Sequence, residues 1–290
     1  MKKQYTVLLF DNGSLRPDAT FALRAIAKNL SKQLGMRVEG VSLLHSHKIE
    51  ADKLNGEPAT IIRRRFKLGI SNEEHHFICL PLFLGPSLAI TEYLMELIEE
   101  AKVLCPEIEI LVAPPLAGWD VTNPDHRLAQ ILAEQVSTIM GQNALSRSTN
   151  LVLVDHGSPI EKLSILRNTV TNQLKDLLGN SVSTTTACSM ERREGEAYAF
   201  NDPLLETISF DSFDTVSKDA SLESLVVAMF FLLPGRHAGE GGDVDEILQG
   251  LVENAKIKNF FKTDLIATHP LIYSILEDRV KSVLENPSEA

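Results

Sequence analysis

The sequence contains one pattern twice, and this repeat constrains the fold more than any other feature. An apolar run followed by Asp-Asn-Gly-Ser ends at Ser14, and an apolar run followed by Asp-His-Gly-Ser ends at Ser158. The two serines are 144 residues apart in a chain of 290 residues, so that each copy has the length of an ordinary domain. We therefore expect two domains, residues 1–145 and residues 146–290.

The two copies differ where chemistry would be expected. Asn12 in the first turn corresponds to His156 in the second. Further along, Phe-Leu-Gly-Pro-Ser ends at Ser87, and the comparable Leu-Pro-Gly-Arg-His ends at His237. Imidazole serves acid–base chemistry and metal binding near neutral pH. We therefore predict that the second domain carries the active site and that the first lacks metal-binding histidines.

Short apolar segments bounded by turn residues alternate with segments that have apolar residues every three or four positions. The first kind predicts buried parallel strands and the second predicts helices. The predicted strands are residues 7–10, 37–44, 76–84, 108–113, 151–154, 183–189, 225–233 and 264–267. The predicted helices are residues 19–34, 88–104, 160–178, 243–255 and 271–283. This order predicts an α/β fold of two mostly parallel open sheets with helices on both faces, joined by a linker at 140–150.

Composition excludes several classes of partner. A net charge of −11 argues against nucleic acid, and we expect the basic run at 63–65 to lie on a solvated face. The longest apolar run, at 225–233, is too short to span a membrane. Three scattered cysteines indicate neither a disulfide framework nor a zinc motif. We expect a soluble cytoplasmic protein. The acidic and aromatic stretch at 202–218 receives no assignment.

Three side chains follow the carboxyl ends of three predicted strands of the second domain: His156, Glu191 and His237. Function in open α/β sheets gathers at this edge. Taken singly, the first could cap a helix and the second could pair with a neighbouring arginine. Together they predict a metal site with open positions, suited to Co²⁺, Fe²⁺, Ni²⁺ or Zn²⁺. Asp155 could orient the histidine turn, or it could equally face solvent.

The Asp-His-Gly-Ser turn, the Met-Glu-Arg-Arg segment at 190–193 and the Leu-Pro-Gly-Arg-His segment resemble the class II tetrapyrrole chelatases, the sirohydrochlorin cobaltochelatases and ferrochelatases. The resemblance covers essentially the whole chain as two tandem chelatase-like lobes. It implies that the catalytic, metal-contacting residues are His156, His237 and Glu191. The glycine-rich loop after the second histidine is longer than the usual strand-to-helix passage of the family.

The resemblance also implies an activity, which is the insertion of a divalent metal into sirohydrochlorin or a related tetrapyrrole in cobalamin or sirohaem biosynthesis. Co²⁺, Fe²⁺ or Ni²⁺ would be a substrate, and no cofactor would be permanently bound. Because the tetrapyrrole carries many carboxylates, we expect Arg192, Arg193 and Arg236 to bind it, together with Ser158. Single-lobe members pair around a cleft, so that a tandem chain is expected to form this cleft internally as a monomer.

Other functions fit the same residues less well. A non-catalytic carrier of metal or tetrapyrrole, a metallochaperone, would use the same site without turnover. A hydrolase is disfavoured because adjacent His and Ser in one turn do not readily form the required hydrogen bond, and no G-x-S-x-G elbow is present. A nucleotide enzyme is disfavoured because neither first strand is followed by G-x-G-x-x-G or a P-loop.

Overall fold

The computed structural model of the chain describes residues 3–208 and 222–287. These residues form two four-stranded sheets in which every described strand pairing is parallel. The first sheet has the order β2-β1-β3-β4 and consists of β1 (Thr6–Asp11), β2 (Val38–Ser42), β3 (His76–Pro81) and β4 (Glu109–Val112). The second has the order β6-β5-β7-β8 and consists of β5 (Asn150–Asp155), β6 (Thr184–Ser189), β7 (Leu222–Met229) and β8 (Ile257–Lys262). The predicted α/β fold is confirmed.

Seven α-helices are present among the described residues. They are α1 (Pro17–Leu34), α2 (Ile62–Ser71), α3 (Met95–Leu104), α4 (Arg127–Gln142), α5 (Glu161–Leu178), α6 (Asp243–Glu253) and α7 (Leu271–Glu285), and a π-helical segment, Ala89–Leu94, leads into α3. No helix in the described ranges is both long and apolar enough to cross a membrane.

The first strand of each sheet is central, and this position explains its apolar sequence. β1 lies between β2 and β3 and its four middle residues are buried, and β5 is buried along its whole length. The chain leaves each central strand, forms one neighbour, and then crosses to form the other. Such a reversal of strand order opens a crevice at the carboxyl ends of the strands. The turns after Asp11 and Asp155 therefore emerge at the place where ligands bind in folds of this kind.

Contacts divide the described chain into two compact units that do not coincide with the halves of the sequence repeat. The first unit consists of residues 3–119, 233–235 and 270–287, and the second of residues 120–208, 222–232 and 236–269. Helix α7 packs on α1 and β3 in the first unit, whereas α4 packs on α5 and β7 in the second. The domain boundary at residue 145 stays a prediction drawn from the repeat.

One predicted strand is wrong and two helices were not predicted. Residues 264–267 do not form a strand, because the last strand of the second sheet is β8 and a 3₁₀ turn, Ile266–Thr268, follows it. β8 lies at the sheet edge with exposed polar positions, so that it lacks a continuous apolar run. Helices α2 and α4 went unpredicted, and the second extends into the predicted linker. Of the unassigned stretch 202–218, residues 209–218 lie outside the described residues.

The basic run on α2 also departs from expectation. Arg65 is buried, with its Nε atom 2.5 Å from Glu39 Oε2, and its guanidinium also pairs with Glu74. A buried guanidinium is tolerated when carboxylates neutralise it and accept its hydrogen bonds. The expected solvated face is therefore wrong for this residue, because Glu39 of β2 and Glu74 of the loop after α2 both bind its guanidinium.

Candidate metal centre in the second sheet

The turn after β5 requires glycine and presents a histidine. Gly157 has a φ of 89°, and a Cβ atom on it would lie 1.9 Å from the carbonyl oxygen of Glu191. Asp155 stabilises the turn, since its Oδ1 accepts hydrogen bonds from the amide of Gly157 at 3.1 Å and from Ser189 Oγ at 2.6 Å. His156 sits between these residues, and its side chain is 46% exposed.

A buried arginine supports this turn from below. The Arg167 side chain is 1% exposed and lies 3.6 Å from Asp155 Oδ1. Its Nη1 donates to Ser189 Oγ and, at 3.0 Å, to the carbonyl oxygen of Asn201. Burial raises the pKa of Asp155, and the positive charge of Arg167 opposes that shift. The sequence indicated neither Arg167 nor Asn201, because both reach the turn through tertiary packing.

The second histidine is held by a carboxylate. His237 lies in the loop after β7, and its Nδ1 is 2.6 Å from Oδ2 of Asp243, the first residue of α6. This contact leaves Nε2 as the ring nitrogen available to a ligand, an arrangement that metal-binding histidines commonly show. The contact with Asp243 was not predicted. In the sequence, only the position of this aspartate six residues after the histidine could have indicated it.

His156 contacts each of the other two predicted ligands at the carboxyl edge of the second sheet. The rings of His156 and His237 meet edge to face, with centroids 4.4 Å apart and planes at 74°. Glu191 Oε1 lies 3.4 Å from Nε2 of His156. The Glu191 side chain is 59% exposed, so that it can rotate toward an ion held by the two imidazoles.

The predicted substrate-binding residues are in different situations. Arg192 donates to Asp202 Oδ1 and to the carbonyl of Gly195, each at 2.9 Å. Arg193 lies over the ring of Tyr198, with its guanidinium carbon 5.7 Å from the ring centroid.

Arg236 and Ser158 complete the predicted set. The Arg236 side chain is 78% exposed and lies 3.6 Å from Asp243 Oδ2, so that it is much more accessible than that of Arg192. Ser158 Oγ accepts a hydrogen bond from the amide of Ile160 at 3.0 Å, and its own amide donates to Asn201 Oδ1 at 2.9 Å. Ser158 thus organises the approach to α5.

A cavity of about 610 Å³ is lined in part by Glu191 and Asp243, the carboxylates that contact the two histidines. Its lining includes four carboxylates and one ammonium group, which belong to Glu191, Glu206, Asp243, Glu246 and Lys256. A surplus of carboxylates raises the local concentration of cations. The cavity therefore favours cations next to the two carboxylates that contact the imidazoles.

The corresponding turn of the first sheet has the same backbone without the ligands. A Cβ atom on Gly13 would lie 1.8 Å from the carbonyl oxygen of Leu44, as one on Gly157 would from that of Glu191. The amide of Leu44 donates to the carbonyl of Asn12 at 3.1 Å, which repeats the bond between Glu191 and His156. Leu44 thus stands where the second sheet has its carboxylate, and Asn12 stands where it has its imidazole.

The support beneath the turn differs as well. Helix α5 begins 144 residues after α1, which is the period of the repeat. Leu23 of α1 therefore occupies the position that Arg167 occupies in α5. No cation pairs with the half-buried Asp11 among the described residues, and burial raises its pKa to about 6, although Ser42 opposes the shift.

A further histidine of the second unit, His269, lies beside a carboxylate. His269 Nε2 lies 3.2 Å from Glu134 Oε2, within the second unit.

Strand pairing gives a more accurate alignment of the two copies of the repeat. Leu82 and Phe230 occupy equivalent positions after β3 and β7, because the amide of each bonds to the equivalent residue of the central strand. Counting from these positions, Ser87 corresponds to Gly235, and His237 lies two residues further along its longer loop.

Comparison with known proteins identifies the fold. Neither a protein-family model nor a curated protein sequence matches the chain. The solved structure of SirB from Bacillus subtilis with Fe³⁺ matches with a TM-score of 0.67 and 16% identity, over 99% of this chain and 98% of that one. The sirohydrochlorin chelatase SirB from Bacillus subtilis subspecies spizizenii in complex with cobalt matches over the same shares, with a TM-score of 0.69 and 16% identity.

A third structure extends the likeness. DR2241 from Deinococcus radiodurans, a multi-domain protein with structural similarity to chelatases and two additional novel domains, matches with a TM-score of 0.59 and 13% identity. The match covers 95% of this chain and 54% of that protein. The chain therefore has the fold of the class II chelatases, as two tandem chelatase-like lobes.

Proposed function

We propose that this protein inserts a divalent metal ion into sirohydrochlorin or a closely related tetrapyrrole. The observation that carries the proposal is the meeting of the imidazoles of His156 and His237, whose ring centroids are 4.4 Å apart. They follow two different strands of the second sheet, as the functional groups of open α/β sheets commonly do. The fold shared with SirB, a sirohydrochlorin chelatase, supports the choice of substrate.

Insertion requires the metal to lose its water and the tetrapyrrole to lose two pyrrole protons. Two neutral imidazoles bind Co²⁺, Fe²⁺ or Ni²⁺ with moderate strength and can release the ion to the four nitrogens of the ring. We assign this role to His156 and His237, with Asp243 holding the second ring by Nδ1. The metal is a substrate in this scheme, and no cofactor is permanently bound.

Glu191 is placed to complete the metal shell or to accept a pyrrole proton, because its carboxylate lies beside His156 and is exposed. Among the arginines, Arg236 is the best candidate for binding a peripheral carboxylate of the substrate, since its side chain is 78% exposed. Arg192 and Arg193 already have partners and would have to exchange them.

We further propose that the protein acts as a monomer in the cytoplasm, in cobalamin or sirohaem biosynthesis. The three cysteines are free and buried, which is consistent with a reducing compartment. The monomeric state is checked by light scattering at the protein concentration of the assay.

The activity is tested by anaerobic spectrophotometry of sirohydrochlorin with Co²⁺ or Fe²⁺. We expect catalytic conversion by the wild-type protein and a loss of at least about 100-fold in His156→Ala and in His237→Ala, because each variant removes a group that acts on the reacting metal. Asn12→Ala is the matched control, since it alters the equivalent turn of the first sheet. It should retain wild-type activity.

Two outcomes would contradict the proposal. Stoichiometric binding of metal and tetrapyrrole without turnover would identify a carrier that uses the same site. Turnover that survives both histidine substitutions would move the chemistry away from the second sheet altogether.

A further inference from the structure

A second group of metal-binding side chains lies in the first unit, away from the histidine pair. The ligand atoms of His75, Cys105 and Glu107 all lie within 4.8 Å of one another, and no other three such side chains are grouped this closely in residues 3–208 and 222–287. The group plays no part in the proposed chelatase chemistry. It combines an imidazole, a thiol and a carboxylate, which are the three ligand types that protein zinc sites use.

The three residues come from different places in the first unit and meet at one edge of the sheet. His75 directly precedes β3, Cys105 ends α3, and Glu107 lies two residues before β4. Because β3 and β4 are parallel, their amino ends lie at the same edge, opposite the edge where functional groups usually gather.

Backbone hydrogen bonds hold this edge in place before any ion binds. The carbonyl of His75 accepts a bond from the amide of Glu109 at 2.7 Å, and the carbonyl of Cys105 accepts one from Ile108 at 3.0 Å. The amide of Cys105 in turn donates to Ala101 at 2.9 Å. An ion would therefore meet ligands whose backbone positions are already set.

We propose that His75, Cys105 and Glu107 form a binding site for a tetrahedral divalent ion of the zinc class, with the fourth position taken by water. Bond lengths to zinc of about 2.0 to 2.3 Å separate tetrahedral ligand atoms by roughly 3.3 to 3.6 Å. The three ligand atoms are at most 4.8 Å apart, so the side chains need to move closer together by about an ångström or less to bind the ion. Glu107 is exposed and can make that movement, whereas Cys105 is buried and supplies the fixed point.

Binding exchanges a proton for a metal. The ligand atoms of Cys105 and Glu107 lie within 4.8 Å of each other, and the ion would take the place of the thiol proton and bind both groups. The thiol proton leaves to solvent, and the sulfur binds as thiolate. An ion at this point would join the ends of two strands and a helix, so that its expected effect is structural.

The site is tested with Co²⁺ alone, in the full chain carrying His156→Ala and His237→Ala so that the histidine pair cannot contribute. We expect one equivalent of Co²⁺ to produce a thiolate-to-cobalt charge-transfer band in the near ultraviolet. Cys105→Ser should abolish the band, and Glu107→Gln should weaken Co²⁺ binding by at least about tenfold. Glu96→Gln, which alters an exposed carboxylate of α3, is the matched control.

The readouts separate binding from folding. Cys105 is buried, so its substitution is checked by circular dichroism and by a comparison of Tm with and without Zn²⁺, where we expect a rise in the parent protein and none in the variant. Glu107 is exposed, and its substitution leaves the core untouched. A cobalt complex without the thiolate band, or equal affinity in the parent and in Glu107→Gln, would overturn the proposal.

Discussion

Asp243 acts on the candidate centre through His237, whose Nδ1 lies 2.6 Å from its carboxylate. A carboxylate at this nitrogen fixes the ring orientation and makes Nε2 a better donor to a metal. In Asp243→Asn we expect Co²⁺ affinity at the histidine pair to fall about 10- to 100-fold. Isothermal titration of a Cys105→Ser parent, which lacks the second proposed site, measures the change.

The control for this substitution is Glu246→Gln, which alters another acidic side chain in the first turn of α6 and in the cavity wall. Both substitutions remove one negative charge from the cavity. Equal losses of affinity in the two variants would mean that Asp243 contributes charge and does not position the ring.

Asp11 makes the stability of the fold depend on pH. Burial raises its pKa from 3.8 to about 6, so that the native state binds more protons than the unfolded state between these values. Its contribution to stability therefore falls as the pH rises through this window and is most unfavourable above about pH 6. The shift corresponds to a destabilisation of at most about 3 kcal/mol.

Asp11→Asn removes this titration. We expect the free energy of unfolding of the variant, relative to wild type, to rise by about 1–3 kcal/mol between pH 4 and pH 7. Urea denaturation at both pH values provides the measurement. If the two proteins keep a constant difference across the range, Asp11 is ionised without penalty in the native state.

The strand-to-helix turns after β1 and β5 form a matched pair. In each, a glycine with positive φ approaches the carbonyl of a residue that follows the neighbouring strand, with no room for a Cβ atom. Gly13→Ala and Gly157→Ala should therefore both destabilise the protein by roughly 1–3 kcal/mol, because the backbone must move in either case.

The functional consequences of these two substitutions should differ. Gly157→Ala displaces His156 and is expected to reduce metal insertion by at least about tenfold, whereas Gly13→Ala should leave the rate near wild type at temperatures where both variants are folded. Steady-state rates and thermal melts together measure this. Equal activity losses in the two variants would assign the effect to general destabilisation.

The central strands were predictable because burial on both sides demands uninterrupted apolar residues. β1, β3, β5 and β7 follow such runs closely, and the helices α1 and α5 follow their three- and four-residue periods. β8 was missed because it is an edge strand whose exposed Lys258 and Asn259 interrupt the apolar residues, so that its sequence shows neither a continuous apolar run nor an alternation. The helix α2 was missed because its basic run includes Arg65, which is buried against one acidic partner on β2 and another in the loop after α2.

Across the whole molecule, the sequence repeat and the compact units describe different properties of the chain. The repeat describes how similar segments follow one another along the chain, and it predicted two sheets of one design. The compact units assign α4 to the second sheet's unit and α7 to the first. Helices of similar amphipathic character can cover either sheet, so that no local pattern states which sheet receives which helix.

The sequence by itself determined the α/β class, the two parallel sheets, and the histidines that end two strands of the second one. These follow from local periodicity and from the rule that the carboxyl ends of parallel strands share one edge. The tertiary structure alone decided that Arg167 lies beneath one histidine turn, that Asp243 holds the other ring, and that His75 and Cys105 meet. Each of these contacts depends on how separate elements pack, and packing is a property of the folded chain as a whole.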